Sequence, residues 1–215
     1  MQKKKKYYEI KDGGVTLYWD MTANMLVDID VQPGVKTVNL FVEKTVSNYP
    51  YSTYKKSLYS TYRIMLDKVY KQFPDVEELN IGDGISTVKI RNDMFPNVKL
   101  VTSENDRFVD GASMLIEVPH NMERKLLNTF YMQSSMELDL KNIKYIDDYA
   151  LNGCLAHAAI NCDSLNNAGP KAFCGAFMFD SGDDGLSVIN DVVLKVEPDA
   201  KSVRLSKRIR RIANS

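Results

Sequence analysis

Cysteine and histidine are scarce. The 215 residues carry three cysteines, Cys154, Cys162 and Cys174, and two histidines, His120 and His157. An odd, clustered set of cysteines does not read as a disulfide framework. Two histidines leave few candidates for a catalytic triad or a metal cluster. No window approaches the roughly 18 apolar residues of a transmembrane helix, so membrane insertion is not expected. The N-terminal run Lys3 to Lys6 leads into Tyr7, Tyr8, Glu9 and Lys11 rather than an apolar stretch, which is not a secretory signal. The expected location is cytoplasmic by default, or extracellular if the chain belongs to a longer surface protein. Charge of either sign is not in surplus, with 28 basic and 28 acidic residues. That balance removes the simplest argument for a nucleic-acid binder.

What the sequence does contain is repetition. Val31, Gly34, Val35, Val38 and Leu40 have counterparts in Ile81, Gly84, Ile85, Val88 and Ile90. Looser copies occur at Val196, Ala200, Val203 and Leu205, and at Leu205, Ile209 and Ile212. Phe73-Pro74-Asp75-Val76 returns 22 residues later as Phe95-Pro96-Asn97-Val98. At the same interval Ile143, Ile146, Ala150, Leu151 and Gly153 return as Leu165, Ala168, Ala172, Phe173 and Gly175. Two different phrases recurring at one interval mark a chain that coils and stacks each turn on the last.

Alternating segments predict strands at residues 76–81, 98–102, 114–118, 136–140, 156–160, 192–196 and 203–205. Two helices are expected. Tyr54, Leu58, Tyr62, Met65, Leu66, Val69 and Phe73 fall at three- and four-residue steps, giving a helical stretch at about 52–73 with Lys55, Lys56, Arg63, Lys68 and Lys71 on the other side. A second runs from about Asn121 to Met132, with Met122, Leu126, Leu127 and Phe130 on one side.

Ile146, Ala150, Leu151, Gly153, Cys154 and Leu155, followed by Ala172 and Phe173, resemble the BspA-like class of leucine-rich repeats. The resemblance spans roughly residues 25 to 215 and is interrupted after Asn48 and around Gly182. It implies a curved α/β solenoid, an irregular leucine-rich repeat with short parallel strands and helices or turns on the convex side. It also implies a binding role, often at bacterial surfaces, and supplies no catalytic residues. The expected division is an N-terminal cap at 1–24 and a solenoid at 25–215.

Chemical candidates were weighed against plain structural roles. Cys154 and His157 are close enough in sequence to form a nucleophile pair, but no orienting acid or oxyanion hole is identified. Adding Cys162 matches no compact zinc set. Asp180, Asp183 and Asp184 lie near glycines as calcium ligands do, without an EF-hand frame. No enzyme activity, cofactor or metal is therefore expected. A solenoid offers an extended surface rather than a deep pocket. The expected function is protein–protein recognition through the exposed sheet face, with Glu78, Asn80, Glu137 and Asp139 as contact candidates. The alternative is a polyanion or nucleic acid held by Lys201, Arg204, Lys207, Arg208, Arg210 and Arg211, a run that could equally protect an exposed sheet edge.

Overall fold

The structure is a computed structural model that describes residues 7–42, 62–119, 123–169, 171–176, 186–189, 192–196 and 211–212. The described residues are nearly all strand and turn, stacked as a β-solenoid. The only helical element among them is one 3₁₀ turn, Cys162–Ser164. The chain divides into two compact units, residues 1–112 and 113–215.

In the first unit, β1 (Tyr8–Asp12), β2 (Val15–Asp20) and β3 (Met25–Val31) form an antiparallel meander. From β3 onward pairing becomes parallel. The chain alternates between two sheets through β4 (Thr37–Leu40), β5 (Tyr62–Leu66), β6 (Glu78–Ile81), β7 (Ile85–Ile90) and β8 (Leu100–Ser103), before the short β9 (Phe108–Val109). One sheet has the order β1-β2-β3-β5-β7, the other β4-β6-β8. Each coil therefore gives one strand to each sheet. Parallel neighbours need a crossover connection, and here the second strand of each coil lies within that crossover.

Inward side chains stack in rows. Val38, Leu79 and Val101 align across one sheet, and Ile64 aligns with Val88 across the other. All are buried, and Trp19, from the meander, is the bulkiest fully buried side chain. Burying a side chain of this kind contributes about 1.5–3 kcal/mol, so neighbouring coils depend on one another for much of their stability.

The 22-residue phrase is a corner. Val76 N–H bonds Phe73 O and Val98 N–H bonds Phe95 O, both at 3.3 Å. The Phe73 and Phe95 rings lie 5.7 Å apart, and Asn97 Nδ2 donates to Pro74 O at 2.8 Å. A third copy, Gln32-Pro33-Gly34-Val35, closes the same way, with Val35 N–H on Gln32 O at 3.3 Å. The longer phrase has a different outcome. Gly34 and Gly84 share a positive φ, 84° and 82°, but Gly34 turns the chain from β3 into β4 and Gly84 from β6 into β7. The two copies mark opposite corners and do not pair with each other.

The second unit contains β10 (Leu115–Glu117), β11 (Arg124–Asn128), β12 (Glu137–Asp139), β13 (Ile143–Ile146), β14 (Ala158–Ile160) and β15 (Asn167–Ala168). β10 and β11 are antiparallel; β11, β13 and β15 are parallel neighbours, as are β12 and β14. β16 (Leu186–Ile189) pairs antiparallel with β17 (Val192–Val196), which pairs in parallel with β18 (Arg211–Ile212). Tyr145 pairs with Asn167 and Ile146 with Ala168, the predicted 22-residue offset. Corner turns stack at that offset too: Tyr149 N–H bonds Lys171 O at 3.0 Å and Gly153 N–H bonds Gly175 O at 3.2 Å.

Both expected helices are corrected where they are described. Residues 62–66 form β5 and residues 124–128 form β11. In β5 the fully buried residues are Ile64 and Leu66, with Arg63 exposed. That is a period of two, and the helical stripe omits Ile64 altogether. The physical reason is tertiary: the apolar residues of so short a segment fit either period, and β5 lies between β3 and β7, which pair with its backbone on both sides. In β11 the inward residues are Leu126 and Asn128. Tyr54, Leu58, Lys55, Lys56 and Met122 lie outside the described residues.

Candidate functional site

Alternation sends every second residue of a coil strand outward. On β4, β6 and β8 the outward set is Thr37 and Asn39, Glu78 and Asn80, and Leu100 and Thr102, aligned rung by rung. Glu78 and Leu100 are exposed, while Asn80 is half-buried. Asn80 sits in a side-chain ladder. Its Nδ2 donates to Asn39 Oδ1 at 2.8 Å, its Oδ1 accepts from Thr102 Oγ1, and Asn39 Nδ2 donates to Asp12 Oδ2 at 2.8 Å. Among the described residues Glu78 is held by a 3.2 Å bond from Thr37 Oγ1, and its side chain is exposed.

Beside this ladder runs a charged one. The Glu77 carboxylate accepts from Lys36 Nζ at 2.9 Å and from Lys99 Nζ at 2.6 Å. The hydrogen bond from Lys99, then that from Lys36, lower the Glu77 pKa to about 2. The same bond raises the pKa of Lys36. At the corner below, Asp75 Oδ2 accepts from Gly34 N–H at 2.9 Å. Both lysines of this ladder stay open to solvent, so their ion pairs with Glu77 add little to stability.

In the second unit, Glu137 and Asp139 project from β12, both exposed, on either side of buried Leu138. Asp139 Oδ1 accepts from Asn161 Nδ2 at 2.9 Å and from Lys141 N–H at 3.0 Å, and these bonds lower its pKa. Glu137 Oε1 lies 3.8 Å from His157 Nε2. His157 Nδ1 is 3.1 Å from Ser134 O. A carbonyl only accepts, so Nδ1 carries the proton in that contact.

Glu78 and Glu137 thus remain available for outside contacts, whereas Asn80 and Asp139 hold neighbouring coils together. All four lie on strand faces, as their alternation predicts, and the bonds to neighbouring coils come in addition. The signal was present: Asn39 precedes Asn80 by 41 residues and Asn161 follows Asp139 by 22.

The thiol of Cys154 is buried, and burial pushes its pKa up. That is opposite to what an attacking thiolate needs. Partial burial raises Cys162 as well, with Asp163 and Asp139 adding to the effect. Among the described residues no three His, Cys, Asp or Glu side chains converge as metal ligands would, and no helix is long and apolar enough to cross a membrane. Asp180, Asp183 and Asp184 lie outside the described residues, as do Lys201, Arg204, Lys207, Arg208 and Arg210. The backbone of Arg211 pairs with Val192 in β18. No family model, no curated protein and no solved structure matches the chain.

Proposed function

We propose that the chain is a non-enzymatic recognition scaffold, an irregular leucine-rich repeat of the BspA-like kind, which contacts a protein partner through outward positions on its coil strands. The observation that carries this reading is the register of β4, β6 and β8. It aligns outward side chains on successive rungs at the spacing of a parallel sheet, about 4.8 Å. The Asn39, Asn80 and Thr102 ladder fixes the platform, and Glu78 projects from it. In the second unit Glu137 holds the same kind of position on β12. The corner residues Ala150, Leu151, Gly153 and Cys154, with Ala172, Phe173 and Gly175, support the family reading.

The test is chemical cross-linking in the native source with the unaltered protein, Glu78→Lys and Glu137→Lys, each checked for an unchanged melting temperature. Loss of one captured protein on either reversal supports the reading. A capture profile unchanged by both overturns it. Asp139 is a poor probe because its reversal would also break the bonds to Asn161 and Lys141.

A further inference from the structure

The meander at the start of the first unit ends in an open strand. Among the described residues β1 occupies the end of its sheet, paired with β2 alone. The connection is Asp12-Gly13-Gly14-Val15, with φ of +53° at Gly13 and +88° at Gly14. Two central residues with positive φ make the tight hairpin turn that matches strand twist. In such a hairpin the residues flanking the turn, Asp12 and Val15, form a hydrogen-bonded pair, and hydrogen-bonded pairs then recur at every second residue. The N–H and C=O groups of Asp12, Ile10 and Tyr8 are therefore directed at β2. Those of Glu9 and Lys11 are directed away, at the open side. The side chains of Glu9 and Lys11 are exposed, while Ile10 between them is buried at 1% exposure.

An open edge with two unpaired N–H groups and two unpaired C=O groups is a template for another strand. We propose that its occupant is β1 of a second copy of this chain, in an antiparallel pair about a two-fold axis that passes between the two Ile10 residues. This register places Glu9 opposite Lys11 of the second copy, and Lys11 opposite its Glu9. These are the residues whose backbone groups point outward, so four main-chain hydrogen bonds form around the axis. The same register brings opposite charges together twice. Shifting the axis to Glu9 sets Glu9 against Glu9, and shifting it to Lys11 sets lysine against lysine. Like charges directly opposite one another are unfavourable, so the side chains select the register that the backbone also permits. In the isolated chain the two side chains lie on one face, with Lys11 Nζ 3.7 Å from Glu9 Oε2. An exposed pair of that kind is weak and is exchanged for two cross-strand pairs. A two-fold contact uses the same patch on both copies, as this charge pattern requires.

The experiment is sedimentation equilibrium of the full chain over about 1 to 500 μM, a range suited to a small interface. A concentration-dependent dimer is expected. Glu9→Lys alone and Lys11→Glu alone each turn both attractive pairs into repulsive ones and should weaken dimerisation about tenfold or more. The double variant E9K/K11E restores complementarity with the signs exchanged and should return dimerisation to within about threefold of the original. Lys11→Pro removes an outward N–H without touching the β2 ladder and should leave monomer. All four variants change only Glu9 and Lys11, whose side chains are exposed, and circular dichroism checks that each variant is folded. A chain monomeric throughout the range overturns the proposal. So does a dimer indifferent to the single reversals, or a double variant as weak as either single.

Discussion

The corner turns of the two units do the same mechanical task with different chemistry. In the first unit, copies 32–35, 73–76 and 95–98 are joined from coil to coil largely by side chains, Asp75 on Gly34 N–H, Asn97 on Pro74 O, and the paired Phe73 and Phe95 rings, beside one backbone bond from Phe73 N–H to Met94 O. In the second unit the equivalent corners close through Met132 N–H on Thr129 O, Cys154 N–H on Leu151 O and Ala176 N–H on Phe173 O. There the coils are joined mostly by backbone, as in Leu151 N–H on Ala172 O at 3.0 Å. Close approach of that sort needs small residues and left-handed backbone. Gly153 and Gly175 supply both, with φ of 74° and 72°, and Tyr131 takes the same conformation at φ 54°. A coil can thus be fastened by polar side chains that reach across or by backbone that comes near, and each solution leaves a different position intolerant of change.

The largest test strikes the backbone-fastened corner. A Cβ at Gly153 would run into the ring of Tyr131, and a left-handed φ is unfavourable for any residue with a Cβ. Gly153→Ala should cost about 2 kcal/mol in chemical denaturation. In a Tyr131→Gly background the same change should cost about half as much, because the ring is gone. Next in size is the side-chain ladder of the first unit. Asn80→Ala removes bonds to Asn39 and Thr102 and should cost about 1 kcal/mol, with the loss read by the same denaturation series.

The smallest effect concerns Glu77. Its folded pKa, about 2, lies below its unfolded value of about 4.3. The stability it contributes is therefore complete above the unfolded value and lost as pH falls from about 4.3 towards 2. Lys36 is raised, so its share is complete below its unfolded pKa and is lost as pH climbs through its raised folded pKa. The melting temperature of Glu77→Gln should fall slightly below that of the original chain at neutral pH. The gap should close as pH approaches 2, and it should shrink in high salt at any pH.

The coils were readable in the sequence because corners impose residue types. Phe-Pro-Asp/Asn-Val returns at 22 residues, and so do Ala150, Leu151 and Gly153 as Ala172, Phe173 and Gly175, since a corner that stacks must turn in the same way every time. The copy at Gln32 escaped notice because it has no phenylalanine and lies 41 residues from its partner, not 22. Tyr131 escaped because a tyrosine does not advertise a left-handed backbone. β5 and β11 lie in stretches whose apolar residues, from Tyr54 to Phe73 and from Met122 to Phe130, fall at three- and four-residue steps, so the sequence favours helix there, while pairing with neighbouring strands decides the described parts. For the candidate site, alternation showed which residues face outward. It did not show that Asn80 and Asp139 are bonded to adjacent coils, because those partners come from other coils.

The connections between successive strands differ widely in length. Residues 82–84 carry the chain from β6 to β7, whereas residues 41–61 carry it from β4 to β5, yet β4, β6 and β8 remain in unbroken register. Closing a longer excursion costs only logarithmically more entropy. Connection length is therefore only loosely tied to register, and a segment can be gained or lost between strands while the hydrophobic rows keep their alignment.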